Sequence, residues 1–290
     1  MASKLTHIKD LINDYNLRDK NVCKQSIPTG FPDLDRNIQG GLQPGSLNVI
    51  AARPGMGKSS FTNNIAESVA ERTKKSVVIF SLENSGEQIC MNILASYSFI
   101  SKNTILTGDF DECEDKRFKK ASQKLSQSPI YINDNSSISI SEIRETLESV
   151  QNLGLIIIDY IQLMYTENKY DESENEILKN IQNLSLFAKE LDVPVIVVSQ
   201  LSRKLEYRIN KRPRLSDLHY HGAMEQYADV ILFLYRDDYY YEDENPGIAE
   251  CIIAKNRYGE RCVIELHWHS DYMRFCTLER RHHIEEQENE

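Results

Sequence analysis

Short apolar runs alternate with longer amphipathic stretches along most of the chain, from Ile27 to Leu266. The runs are Leu47–Ala52, Val77–Leu82, Ile130–Ile132, Leu155–Asp159, Val193–Ser199, Val230–Tyr235, Ala249–Ala254 and Cys262–Leu266. The first several are β-branched and bounded by helical spacing, which predicts βαβ units around a buried, mainly parallel sheet. The last two lie closer together and predict antiparallel strands at one edge. Ahead of them, Leu5, Ile8, Leu11, Ile12 and Tyr15 predict a short amphipathic N-terminal helix over Ser3–Tyr15. The expected organisation is a helix and polar connection over 1–25, one α/β domain over 26–279, and an acidic, disordered tail over 280–290.

Composition excludes several classes. With 40% hydrophobic and 27% charged residues in 290, the chain has ample apolar material for a core. No apolar run approaches the ~18–20 residues that span a bilayer, so no membrane contact is expected. The N-terminus carries Asp10 and Asp14 and lacks the apolar stretch of a signal peptide, which points to the cytoplasm. A net charge of −10 argues against a surface that coats duplex DNA, so any nucleic-acid contact must be local. The six cysteines are scattered with no CxxC pair, as expected of reduced thiols. His219/His221 and His267/His269 each pair two imidazoles without a third ligand, so no metal is expected on them.

Glycine is scarce, yet Gly40, Gly41, Gly45, Gly55 and Gly57 cluster around one predicted strand. The segment Ala52-Arg53-Pro54-Gly55-Met56-Gly57-Lys58-Ser59-Ser60 lies between that strand and a helical pattern, and reads as a P-loop. Small residues let successive backbone N–H groups curl around phosphates, and the helix N-terminus adds partial positive charge. Residues Arg53 to Ser60 are thus candidates for binding ATP, with Lys58 reaching the β- and γ-phosphates and Ser59 facing Mg²⁺. The run Leu155–Ile158 carries Asp159 at its end, where an acid would complete the Mg²⁺ site. Glu83 ends another strand and is a candidate base, although a glutamate there equally suits a helix start. Gln200 ends a third and suits either a γ-phosphate contact or a helix cap.

Further segments carry a resemblance. They are Thr29-Gly30-Phe31, Leu34-Asp35, Gly40-Gly41-Leu42-Gln43-Pro44-Gly45, the P-loop, Phe80-Ser81-Leu82-Glu83 and Ile158-Asp159-Tyr160-Ile161-Gln162-Leu163-Met164. Ser199-Gln200-Leu201, Arg212-Pro213, Ser216-Asp217-Leu218, Met224-Glu225-Gln226, Ala228-Asp229 and Tyr235-Arg236-Asp237 follow. In this order, from about Ser26 to Phe275, they resemble the C-terminal motor domain of the DnaB-type replicative DNA helicases. That family, too, has alanine where the general P-loop pattern has its first glycine. The resemblance implies a RecA-like P-loop ATPase fold and ATP with Mg²⁺ as cofactors. It also implies a ring of copies, expected to be a hexamer, on single-stranded DNA, with a helicase loader or primase as further partner. It makes Glu83 the catalytic base, Asp159 the second acid and Gln200 the γ-phosphate sensor. Lys255-Asn256-Arg257-Tyr258-Gly259 matches a hairpin whose Lys255 and Arg257 reach a neighbour's ATP site.

Two departures stand out. Only the helix Ser3–Tyr15 is expected ahead of the motor, with no counterpart of the family's primase-binding domain. Where the family's DNA loop carries Arg-Glu-Ser-Gly, this chain has His219-Tyr220-His221-Gly222, trading a fixed charge for an aromatic. Stacking on Tyr220, with His219 and the Gly222 backbone beside it, would serve DNA there. A second contact is expected upstream, where Arg203, Lys204, Arg208, Lys211, Arg212 and Arg214 face only Glu206. Three functions stay open: a translocating helicase motor, a DNA-stimulated ATPase without unwinding, and a nucleotide-binding interaction module without turnover.

Overall fold

The computed structural model describes residues 26–165, 174–218, 221–241 and 245–278, together with residues 7–9 and Ile12. The expected helix Ser3–Tyr15 falls mostly outside the described residues, as do His219, Tyr220 and the tail 280–290.

The strands are β1 (Leu47–Ala52), β2 (Ser76–Ser81), β3 (Ile130–Asn133), β4 (Leu153–Asp159), β5 (Val195–Gln200), β6 (Val230–Tyr235), β7 (Ile248–Asn256), β8 (Val263–His269) and β9 (Arg274–Thr277). They form one sheet in the order β3-β2-β4-β5-β1-β6-β7-β8-β9. The first six in that order pair in parallel, and β7, β8 and β9 add antiparallel at the β6 side. The sequence pattern thus anticipates the parallel centre and two of the antiparallel strands. It misses β9, in which only Phe275 is buried.

The parallel strands are apolar without interruption because both faces of the sheet are covered. Successive residues feed opposite layers: Val77, Ile79, Leu155 and Ile157 pack on one side, and Val78, Phe80, Ile156 and Ile158 on the other. The helices that cover them are α1 (Pro32–Asn37), α2 (Lys58–Thr73), α3 (Gly86–Ser98), α4 (Lys102–Thr107), α5 (Glu112–Leu125), α6 (Ile140–Leu147), α7 (Glu174–Leu191) and α8 (His221–Tyr227). Helix α2 contributes Phe61, Ile65, Ala66, Val69 and Ala70 to the first layer. That burial anchors the helix whose first residue is Lys58. The C-terminal ends of β1, β2, β4 and β5 therefore converge on one edge, carrying the P-loop, Glu83, Asp159 and Gln200.

Candidate functional site

The loop between β1 and α2 needs its glycines for two separate reasons. Gly55 (φ +78°) and Gly57 (φ +91°) occupy the left-handed region that residues with a Cβ avoid. A Cβ would also meet the Tyr239 ring at 2.8 Å over Gly55 and the Phe275 ring at 2.8 Å over Gly57. Gly57 is the N-cap of α2 and offers no side-chain cap, and the first turn holds no acid. The helix's first N–H groups are left for an incoming acceptor.

Beside this loop lies a cleft of about 490 Å³ lined by Pro54, Gly55, Gly57, Lys58, Ser59, Ser60, Glu83, Asn84, Tyr160, Gln200, Arg236, Trp268, Ser270 and Met273. Ser59 Oγ donates to Asp159 Oδ2 at 2.6 Å, so the hydroxyl and the carboxylate present two hard oxygens side by side. Lys58 Nζ donates to the Arg53 carbonyl at 3.3 Å. Burial lowers the Lys58 pKa, opposed by the negative charges of Asp159 and Glu83. Burial likewise raises that of Asp159, opposed by the Ser59 hydrogen bond and Lys58. Both groups are held away from water next to an open space.

Neither Glu83 nor Gln200 serves as a cap. Ser85, not Glu83, caps α3, in a capping box with Gln88. Glu83 is exposed in the cleft, and the turn beside it is fixed by Ser81 Oγ, which donates to the Asn84 carbonyl at 2.7 Å. Gln200 ends β5, while Ser202 caps the short 3₁₀ turn that follows, so Gln200 is free of capping and lines the cleft.

Two expected nucleotide contacts turn away. Met56 is buried in the core, drawn there by its apolar side chain. The Arg53 guanidinium leaves the cleft for Glu206 and the Leu201 carbonyl, so only the backbone of these two residues remains in the loop. Arg236, Trp268, Ser270, Met273 and Tyr160 were not anticipated. The last three-stranded layer supplies Trp268 and Phe275, and Met273 comes from the β8–β9 turn that the apolar pattern does not reveal. Arg236 reaches back to the Gly55 carbonyl at 3.3 Å and sits 5.5 Å from the Trp268 ring.

The basic segment after β5 is less free than its charge count implies. Arg208 donates to Asp217 Oδ2 at 2.8 Å and to the Arg212 carbonyl at 2.9 Å. Arg212 is bidentate on Glu250 and reaches Asp237 at 2.7 Å. Lys211 lies 4.6 Å from the Tyr240 ring and 5.2 Å from that of Tyr241. Arg208 and Lys211, both expected to serve a DNA strand, are engaged within the chain, Arg208 by Asp217 and Lys211 by the Tyr240 and Tyr241 rings. Arg203 and Lys204 remain exposed. Gly222 lies in α8 with open space around it.

Lys255 and Arg257 stand at the β7–β8 hairpin, apart from the residues of the chain's own cleft. Lys255 Nζ donates to the Glu225 and Ala228 carbonyls, at 2.6 and 2.5 Å. Arg257 donates to Asp229 Oδ1 at 2.8 Å and to the Gln226 carbonyl at 3.2 Å. His267 and His269 share one strand face with rings 4.1 Å apart. Among the described residues, no group of three or more His, Cys, Asp or Glu is placed to hold a metal. Among them, too, no helix is long and apolar enough to cross a membrane.

Comparison with known proteins gives the family. The family model described as "DnaB-like helicase C terminal domain" matches residues 26–277. The chain is 42% identical over 97% of its length to the replicative DNA helicase DnaC of Bacillus subtilis (strain 168), covering 64% of that protein. It is 43% identical over 96% of its length to the replicative DNA helicase DnaB of Geobacillus stearothermophilus, covering 62% of that one. The chain thus spans less than two thirds of these relatives. Among solved structures, the ATPase domain of G40P superposes with a TM-score of 0.87 at 33% identity, covering 96% of this chain and all of that one. A DnaB-like replicative helicase, described with its primase interactions, superposes with a TM-score of 0.85 at 33% identity, over 96% of this chain and 68% of that one. With a RecA-like sheet, a P-loop and an acid at the end of β4 all in the family's order, this chain belongs to the DnaB-like helicase C-terminal domain family.

Proposed function

We propose that this chain is the ATP-dependent motor of a replicative DNA helicase, which encircles single-stranded DNA as a ring of copies and couples hydrolysis to translocation and unwinding. The observation that carries this reading is the convergence of Lys58, the Ser59–Asp159 pair and Glu83 on one cleft. The P-loop amides and Lys58 hold the β- and γ-phosphates, once Lys58 leaves the Arg53 carbonyl. Mg²⁺ fits the donor set, since it takes one or two hard protein oxygens and fills its shell with water and phosphate. Ser59 and Asp159 would hold it, and it would neutralise charge on the phosphates.

Glu83 accepts the proton of the attacking water. Gln200 contacts the γ-phosphate from the end of β5. Lys255 and Arg257 line no part of their own cleft, which supports their acting on the site of a neighbouring copy. Arg203 and Lys204 bind the DNA backbone, and His219, Tyr220 and Gly222 add further DNA contacts. The ring is a hexamer, and a primase or helicase loader docks on it in the cytoplasm.

The test is ATP turnover with and without single-stranded DNA, paired with strand displacement on a forked duplex. Stimulated turnover with displacement is expected. Stimulation without displacement favours the second reading, a DNA-dependent ATPase, to which the His219-Tyr220-His221 departure points. No turnover leaves the third, a nucleotide-binding interaction module.

A further inference from the structure

The P-loop and the basic loop leave neighbouring strands. β1 and β5 stay in register to Ala52 and Gln200, and Leu201 N then donates to the Ala52 carbonyl at 3.2 Å. Where the two chains part, Arg53 bridges the gap. Its side chain is only 8% exposed; Nη1 donates to the Leu201 carbonyl at 2.8 Å, and Nε donates to Glu206 Oε1 at 2.8 Å. At its other end, the Arg53 carbonyl accepts from Lys58 Nζ at 3.3 Å. An unbroken line of contacts therefore runs from the phosphate-binding amine, through one residue, to the loop that carries Arg203 and Lys204.

A purely structural brace is the simpler explanation for such a pair. The loop, however, is already fixed by other means. Leu205 is buried at 1% exposure, and Arg208 and Arg212 are paired to Asp217, Asp237 and Glu250. The Glu206 side chain is 41% exposed, and without it the Arg53 guanidinium still donates to the Leu201 carbonyl. What the pair does uniquely join is the peptide that receives Lys58 and the carboxylate flanked by the exposed cations. A DNA phosphate drawn to Arg203 or Lys204 repels the Glu206 carboxylate, pressing it toward Arg53. The Arg53 peptide moves with it, and DNA thereby changes how readily Lys58 leaves the Arg53 carbonyl for phosphate.

We infer that Arg53 is a positioning residue. Through Glu206 it couples single-stranded DNA on the basic loop to the P-loop, acting on Lys58 without touching nucleotide through its side chain. The inference rests on the helicase reading above for its two ligands. By linkage the coupling is reciprocal, so nucleotide also changes the affinity for DNA.

The experiment uses the full chain and two probes, a non-hydrolysable ATP analogue and a saturating oligodeoxythymidylate. Analogue affinity and ATP turnover are each measured with and without the oligonucleotide, for the wild type, Glu206→Ala, Glu206→Gln and Arg53→Lys. In Glu206→Ala, the melting temperature should fall modestly and DNA-free turnover should match the wild type, while the DNA-dependent change falls fivefold or more toward none. Glu206→Gln keeps an acceptor for Nε and should fall between, and Arg53→Lys should lose most of the coupling because an ammonium lacks the fixed fork that serves the two partners from Nε and Nη1. A wild-type response that Glu206→Ala retains in full overturns the inference and leaves the helicase reading standing. Loss of DNA-free turnover in step with the stimulated rate also overturns it, since that marks a folding role. A wild type that does not respond to DNA overturns both.

Discussion

The cleft and the basic loop leave the same edge of the sheet, yet their charges stand in opposite conditions. In the cleft, burial lowers Lys58 and raises Asp159, so each is held against its charged form. In the loop, hydrogen bonds from Arg212 to Glu250 push the guanidinium above its ordinary range. Burial works against Asp237, but hydrogen bonds from Tyr235, Asn245 and Arg212 keep it below the usual carboxylate value. Arg208 and Arg212 have found their partners inside the chain. The cleft charges gain from a ligand that brings phosphate to Lys58 and a cation to Asp159. A cluster of like charge in sequence is thus a poorer mark of a binding site than a few charges left partly uncompensated.

Arg257 challenges this contrast most severely, because it looks as settled as the loop, with Asp229 at 2.8 Å. It is nevertheless proposed to complete a neighbour's cleft. A guanidinium on the γ-phosphoryl oxygens is worth about 10³–10⁵ in rate in known phosphoryl transfer. Arg257→Ala should bind ATP and lose turnover on that scale. Mixed with Lys58→Ala, whose own site is dead but whose Arg257 is intact, it should regain partial activity through mixed interfaces. If Arg257→Ala alone turns over normally, the residue is as spent as its ion pair suggests.

Glu83 tests the other side of the contrast, a group left free of capping and of the core. Glu83→Gln keeps shape but cannot take a proton, and turnover should fall by about 10²–10⁴ with ATP binding retained. Hydrolysis at the wild-type rate in this variant would remove the base from the cleft.

These two residues also show what could be read from the sequence. Gly55, Gly57 and Lys58 were legible because a phosphate loop is written in consecutive residues, with backbone freedom at fixed places. Asp159 could be placed at the sheet edge because it closes an apolar run, whereas the run before Glu83 left a helix start open and only the resemblance marked it out. The Trp268 and Phe275 roof was not, since a chain more than two hundred residues on must fold back over Gly57. Strand β9 hid because its half-buried Arg274 and exposed Thr277 break the apolar run around Phe275. The loop misled for the same physical reason. Arg212 is neutralised by Asp237, just past β6, and Glu250 on β7, 25 and 38 residues away, and no local pattern announces that.

Glu67 breaks the contrast in a different way, being held against its charged form outside the cleft. It sits on α2 at 5% exposure, and burial pushes its carboxyl up to about 7. Arg274 at 3.4 Å and hydrogen bonds from Ser96 and Asn64 oppose that shift, while Glu71 adds to it. The folded chain therefore holds a proton that the unfolded chain releases near 4.5. Its contribution to stability is full below that value and is lost as pH rises through about 7. Relative to Glu67→Gln, the wild type should lose on the order of 2–3 kcal/mol in urea unfolding between pH 5 and pH 8. A difference that stays constant across this range means the carboxyl is ionised throughout, and then Glu67 belongs with the satisfied charges.

The smallest effect separates charges within the loop itself. Arg203 and Lys204 are exposed, whereas Arg208 and Arg212 hold Asp217 and Asp237, whose side chains are only 9% and 8% exposed. For single strands, each phosphate contact contributes about −0.7 to the slope of log affinity against log salt. Arg203→Gln with Lys204→Gln should therefore flatten the slope by about 1.4 and leave the melting temperature unchanged. Arg208→Gln with Arg212→Gln should do the reverse, because each change strands a buried carboxylate at a cost of about 1–3 kcal/mol. A flatter slope from the second pair, at undiminished stability, would mean that those guanidiniums exchange their carboxylates for phosphates when DNA arrives. The loop charges would then be held in reserve, and the contrast with the cleft would describe only the DNA-free state.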